Sequence, residues 1–333
     1  MDAILLREAG GFGDILQIGS VVPLLHQRGY TVHLYTMHDP AILSLAKLIR
    51  GISYVHPLNM VLSERRSRSE ADIWRYNYLR PVANHASGPG PHPYGTKLLD
   101  MFCPAWRAEQ SAILRGVVPE FSRAQYFVDS AGFQPSTARP TKLKTPQVGS
   151  EFSQSLSDKL GTDYTVVSPW ARDPCRSMPE SMLVEALAVL SEKYSSVVVL
   201  GYDECVKWKA RQSNVLWYPL DFEPFCTRAE MMEQTVELVR RCSRVFAVDS
   251  FAAHLAGCLG KKLLSVDGPT LVAVNTKHYS SVATCKTTAA PSCRGCYYSK
   301  DNGWSPSCRT DGCAVIASVT RSDLESSTER AFG

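Results

Sequence analysis

Asp249-Ser250 closes the apolar run Arg244–Val248 and opens a helical stretch, Phe251–Leu259, which carries His254 one turn in and stops at Gly260. An Asp or Ser at that position caps a helix. The N–H groups of the first turn, together with the helix dipole, also make a site for an anion such as a phosphate. A second apolar strand, Lys262–Val266, runs into Asp267-Gly268-Pro269-Thr270. Two neighbouring strands thus bring polar, turn-rich ends to one sheet edge, where open α/β folds bind ligands. His254 is either a ligand-binding group or an ordinary helix histidine.

Two other clusters have chemical capacity. Cys293, Cys296, Cys308 and Cys313 follow the pattern Cys-x2-Cys-x11-Cys-x4-Cys. The first pair has the bite of a metal knuckle, and four thiolates suit tetrahedral zinc or a single iron. Disulfides and free thiols are the other states of such a set, and Cys285 is an alternative member. Near the N-terminus stands Gly10-Gly11-Phe12-Gly13-Asp14. Its glycines let backbone approach a ligand closely, and Asp14 either caps a helix or acts on that ligand.

A parallel sheet would hold these groups. Ala3–Arg7 is a short apolar strand, followed by an apolar helical stretch to Leu25 in which Pro23 forces a kink or a later start. Thr31–Thr36 alternates as a strand, Ala41–Leu48 reads as helix, and Ile52–Val55 as a third strand. A helix is expected at Thr96–Phe102 and an interdomain linker at Gln134–Gly149, rich in Pro, Thr and Lys. Strand–helix alternation then resumes with Tyr164–Ser168, Glu180–Tyr194, Ser196–Leu200 and Arg228–Arg241. The pattern predicts two Rossmann-like, doubly wound domains facing a cleft.

Composition narrows the class. The chain has 333 residues, net charge +4 and 44% hydrophobic residues, ordinary for a globular protein of two domains. No apolar run reaches about 18 residues, and the N-terminus lacks the form of a secretory signal, so a cytoplasmic protein without a membrane span is expected. The basic stretch Ser63–Glu70 is a solvated loop or a contact for a polyanion. Asp-x-Asp, a common mark of divalent-metal sugar transfer, is absent from the sequence. The glycine loop also lacks the Gly-x-Gly-x-x-Gly dinucleotide fingerprint.

Three motifs, in order and at matching spacing across both halves, resemble glycosyltransferase family 9, the ADP-heptose:lipopolysaccharide heptosyltransferases and their relatives. They are Gly10–Leu25 ("GGFGDILQIGSVVPLL"), Val166–Leu187 ("VVSPWARDPCRSMPESMLVEAL") and Val248–Thr270 ("VDSFAAHLAGCLGKKLLSVDGPT"). The chain departs from the family pattern at Phe251, where Gly is usual, at Ser168-Pro169-Trp170 in place of His-Pro-Gly, and at Met178 in place of Trp.

The resemblance implies an α/β GT-B fold. Residues 1–150 would form the acceptor-side domain and 151–284 the nucleotide-sugar domain, followed by a Cys-rich metal finger at 285–315 and a C-terminal helix or tail at 316–333. It implies an inverting transferase that moves a heptose-like sugar from an ADP-heptose-type donor to a hydroxyl of lipopolysaccharide core, protein or DNA. Asp14 would be the general base, and no catalytic divalent metal is needed. Gly13, Arg172, Arg176, Glu204, Asp249, Ser250 and His254 would hold the donor, with Arg176 at the place of the family's diphosphate-binding lysine. The Pro/Gly/His-rich stretch Arg80–Gly95, with His85, His92 and Tyr94, would face the acceptor. Some relatives carry a similar iron-binding finger, on which Lys300, Trp304 and Arg309 would meet acceptor or a second subunit of a homo-oligomer. Two alternatives stay open: a DNA-modifying transferase acting on a hydroxymethylated base, and a non-catalytic nucleotide-sugar-binding or assembly protein.

Overall fold

The structure, a computed structural model, describes residues 1–7, 10–58, 97–100, 111, 115, 117–201, 213–219, 221–222, 227–287, 293–298 and 312–333. The chain divides into two units, Met1–Ala108 with Arg123–Lys144, and Glu109–Ser122 with Thr145–Gly333. No helix among the described residues is long and apolar enough to cross a membrane.

In the first unit, β1 (Asp2–Arg7), β2 (Thr31–Met37), β3 (Ile52–Leu58) and β4 (Lys97–Asp100) form a sheet in the order β3-β2-β1-β4, and every pairing is parallel. Ala3 to Leu6 are buried, as a central parallel strand covered on both faces requires. The stretch after the glycine loop is two helices, α1 (Phe12–Ile18) and α2 (Val22–Gln27). Pro23 falls in the first turn of α2, where its missing N–H breaks no helical bond. Asp39 caps α3 (Pro40–Leu48), its carboxylate accepting from the Ala41 and Ile42 N–H groups. The helix expected at 96–102 is instead strand β4, paired with Ala3–Leu6 of β1. A short apolar run carries no period that separates helix from strand, and the open side of β1 decides it. Helix α4 (Arg123–Ser130) follows. Part of the expected linker docks on this unit: Thr141 donates to the Leu16 carbonyl, and Leu143 bridges Ile49.

The second unit carries α5 (Ser150–Leu160), β5 (Thr165–Ser168), α6 (Glu180–Lys193), β6 (Val197–Leu200), β7 (Val215–Tyr218) and α7 (Arg228–Arg241). β8 (Arg244–Ala247), α8 (Phe251–Cys258), β9 (Lys262–Val266), α9 (Val272–Asn275), β10 (Val282–Cys285), α10 (Ala314–Ala317) and α11 (Arg321–Phe332) follow. Six parallel strands run in the order β10-β9-β8-β5-β6-β7. This is the doubly wound order, and it reverses direction between β5 and β8. Val167, Phe246, Leu264, Trp217 and Leu187 build its core, and Leu324 and Phe332 of α11 close it. Burying each such side chain contributes about 1.5–3 kcal/mol. The stretch Glu109–Ser122 is tied to this unit: Lys277 Nζ donates to the Glu120 carbonyl at 2.9 Å, and Ser122 Oγ lies 3.1 Å from His278 Nδ1.

Candidate active site

In an open parallel sheet, loops on either side of the point where strand order reverses diverge and leave a crevice at the carboxyl ends. In the first unit that point lies between β1 and β4, so the turn from β1 into α1 borders it. Gly10 there has φ +130°, and a Cβ on it would collide with the side chains of Arg7 and Asp14. Glycine is thus required on two counts. Asp14 is the third residue of α1 rather than its cap, and it accepts from the Gly11 N–H at 2.9 Å. Its carboxylate is buried, with Arg7 Nη2 3.1 Å from Oδ2 and Arg123 Nη1 2.9 Å from Oδ1. Burial alone would raise its pKa. The charges of Arg7 and Arg123 and the Gly11 N–H outweigh that and hold it far below the usual carboxylate range. Asp14 is therefore ionised and a weak proton acceptor, and it is also part of the fold.

In the second unit the order reverses between β5 and β8. Ser168 ends β5, and Asp249-Ser250 follows β8 into α8. The Ser168 and Ser250 hydroxyls are 3.5 Å apart. Ser250 occupies the cap position of α8 without donating or accepting a side-chain cap bond. Asp249 is the centre of the cluster. Its Oδ2 accepts from Thr270 Oγ1 at 2.7 Å, Asn275 Nδ2 at 2.9 Å and Arg176 Nη1 at 3.3 Å. His254 Nε2 stands 3.9 Å from Oδ1.

Arg176 also donates to Asp173 at 2.9 Å. Burial works against its charge, but Asp249 and Asp173 overcome this and hold its pKa above the ordinary value. Its Nε is buried without a hydrogen-bond partner. An unmet buried donor is costly, so this guanidinium has capacity for one more acceptor.

Behind Asp249, His254 Nδ1 lies 3.3 Å from the Tyr279 hydroxyl, and the His278 ring packs 3.9 Å from the Tyr279 ring. Burial, with His254 adding, pushes the His278 pKa down to about 3. Tyr279 leaves no room for a side chain at Gly257.

The sequence-selected residues fall as follows. Asp249, Ser250, His254 and Arg176 share the β5/β8 edge of the second unit. Arg172 is exposed on the same loop as Arg176. Gly13 lies in α1, its carbonyl accepting from Gln17 Nε2 at 3.3 Å. His85, His92, Tyr94, Glu204 and Cys308 lie outside the described residues, as do the basic stretch 63–70 and the finger residues Lys300, Trp304 and Arg309. Arg7, Arg123, Thr270 and Asn275 were not singled out by sequence. Arg7 left one signal, a cation closing an otherwise apolar strand. Arg123 left none, because it meets Asp14 across 109 positions of chain.

Cys293 and Cys296 share one turn, in which Cys296 N–H donates to the Cys293 carbonyl at 3.0 Å and Gly295 has φ +74°. Cys313 is buried at the start of α10. Among the described residues no group of three or more His, Cys, Asp or Glu is placed to hold a metal ion. Cys308, the third of the four expected donors, lies outside the residues so compared.

Comparison with protein-family models and with curated sequences finds no match. Solved structures do match. The E. coli heptosyltransferase WaaC with ADP superposes with TM-score 0.60 and 12% identity, covering 99% of each chain. A glycosyl transferase family 9 protein from Veillonella parvula gives TM-score 0.64 and 10% identity, over 99% of this chain and 97% of that one. TibC from enterotoxigenic E. coli, described as an iron-containing dodecameric glycosyltransferase, gives TM-score 0.57 and 12% identity, over 99% of this chain and 76% of its own. The chain has the fold of these heptosyltransferase and family 9 structures, the GT-B fold expected from its motifs.

Proposed function

We propose that the protein is an inverting glycosyltransferase that moves a heptose-like sugar from an ADP-heptose-type donor to a hydroxyl acceptor. One observation carries the reading. At the strand-order reversal of the second unit, a half-buried Arg176 guanidinium is aimed by Asp249 and Asp173 beside the start of α8. A guanidinium and a helix N-terminus are the groups that bind a diphosphate and stabilise its departure. The solved structures of this fold include one holding ADP.

In this reading the acceptor oxygen attacks the anomeric carbon opposite the diphosphate. The new C–O bond forms as the bond to phosphate breaks, and the electron pair leaves with the diphosphate. The second unit takes the donor and the first unit the acceptor. Asp14 receives the hydroxyl proton. Because Arg7 and Arg123 lower its basicity, it does so late, once bond breaking has made the hydroxyl acidic. Until then it orients the acceptor.

A cysteine-bound zinc or iron ion and self-association belong to the same proposal, supported by the description of TibC as iron-containing and dodecameric. No step of transfer runs through that ion. The acceptor is lipopolysaccharide core, protein or DNA.

The clamp on Asp14 favours one second reading: a protein that binds the nucleotide-sugar without transferring it, with Asp14 serving the fold alone. ADP release from ADP-heptose separates the two. Turnover in the presence of acceptor, or slow hydrolysis without it, supports the transferase. Tight binding with no ADP release supports the binding protein and ends the transferase reading.

A further inference from the structure

The turn Cys293–Tyr298 reaches the surroundings of Asp249 from a separate part of the chain. Its backbone docks on the loop after β9, where Gly295 N–H donates to the Gly268 carbonyl and Tyr297 N–H to the Pro269 carbonyl, both at 2.9 Å. Those two bonds already seat the turn. Two side chains go further. Arg294 pairs with Asp267, which is 4% exposed and whose other oxygen accepts the Val272 N–H at 2.8 Å. Tyr298, 3% exposed, donates its hydroxyl to Asn275 Oδ1 at 3.2 Å.

Asn275 thus has both ends of its amide in use, oxygen toward Tyr298 and nitrogen toward Asp249. A carboxamide held at both ends keeps one orientation, so its donor stays aimed at the carboxylate. Asp267 acts in parallel. It is the first residue of the loop whose Thr270 donates to the same Asp249 oxygen, and its bonds to Arg294 and the Val272 N–H hold that loop. Two short chains of contacts therefore run from the turn to one carboxylate. One is Tyr298–Asn275–Asp249, the other Arg294–Asp267 and its loop to Thr270–Asp249. Asp249 in turn aims Arg176.

We propose that Tyr298 and Arg294 are positioning residues for the donor site, acting through Asn275 and the Asp267–Thr270 loop to fix Asp249 and hence Arg176. The cysteine turn is then a buttress of the nucleotide site as well as a place for thiol chemistry. This rests on the reading of that edge as a nucleotide-sugar site.

The test is a double-mutant cycle on ADP binding, measured by calorimetry on the full chain. Tyr298→Phe keeps the ring and removes the hydroxyl. It should raise the ADP Kd about fivefold, the worth of one net hydrogen bond, with the melting temperature within about 2 °C of wild type. Asn275→Ala should raise it comparably, and the double variant no more than either alone, because both act on one contact chain. Arg294→Ala should also weaken ADP binding, with Arg294→Lys recovering part of the loss. An unchanged Kd in Tyr298→Phe, or strictly additive losses in the double variant, overturns the proposal while leaving the nucleotide site standing. A wild-type chain that binds no ADP overturns both.

Discussion

Arg7 Nη2 stands 3.1 Å from Asp14 Oδ2, both side chains buried, with the backbone of Gly10 threaded between strand and helix beside them. One ion pair thus joins the last residue of β1 to the first turn of α1, and the carboxylate proposed to face the acceptor doubles as a structural anchor. Removing one member of a buried pair leaves the other charge uncompensated.

Asp14→Asn should therefore lower stability by about 3 kcal/mol as well as abolish turnover. The pH dependence follows from the depressed pKa of Asp14 in the folded chain. Its stabilising share is present above the unfolded carboxylate pKa, near 3.9, and is lost as pH falls below it. Urea unfolding of wild type and variant should differ by a constant amount from pH 6 to 8 and converge below about pH 4. Equal stability at pH 7 would show that the clamp contributes nothing.

Gly10→Ala adds a methyl group where both Arg7 and Asp14 already stand, on a backbone with φ +130°. The expected loss is about 2 kcal/mol or more, from strain and a displaced ion pair. Thermal unfolding measures it. A wild-type melting temperature would mean that the loop relaxes freely.

Arg176→Ala removes a charged donor from the start of α8 and leaves Asp249 and Asp173 without their shared cation. ADP affinity should fall at least tenfold, in line with about 1.5–3 kcal/mol for a charge-assisted bond. Arg176→Lys should recover only part, since an ammonium cannot span Asp249, Asp173 and a phosphate as a planar fork does. Calorimetry with ADP reads both.

His278 is kept neutral in the fold, its pKa down to about 3 through burial and His254. Unfolded, it takes up a proton below about pH 6.5. Between those values the unfolded chain binds more protons, so stability falls as pH drops from 7 toward 5. His278→Asn should flatten that slope in melting temperature against pH. An unchanged slope would assign the acid sensitivity elsewhere.

Protein purified without chelators should carry about one zinc or iron per chain, and Cys293→Ser should lower that content. Elemental analysis at stoichiometric sensitivity decides it, and a metal-free wild type removes the ion from the proposal.

What the sequence made legible was local. β1, β5, β8 and β9 are continuous apolar runs, and such runs read directly as buried parallel strands. The residues that close them, Asp249 and Ser250 among others, follow at once in the chain, so the polar edge after β8 and β9 was legible in the sequence, while the place of β5 beside β8 was not. β7 and β10 were not anticipated, because Val215–Tyr218 and Val282–Cys285 are short strands toward the sheet edges, without a long apolar signature. The misread helix at 96–102 has the same cause. The partners of Asp14 and Asp249 were hidden for a different reason. Arg123 meets Asp14 across 109 positions, Asn275 meets Asp249 across 26, and Tyr298 meets Asn275 across 23, all through tertiary folding that no spacing rule records. Thr270 lay within a recognised motif, yet its bond to Asp249 depends on β8 and β9 being neighbours.

The excursion of Glu109–Ser122 into the second unit means that the polypeptide leaves the first unit, returns at Arg123 and departs again after Lys144. No single cut then liberates both halves intact. Severing the chain near residue 145 would strand Glu120 and Ser122 on the wrong fragment, away from Lys277 and His278. It would leave that fragment a dangling peptide and its complement an exposed seam. The backbone passes between the halves three times, and synthesis must finish the second half before the excursion has anywhere to lie.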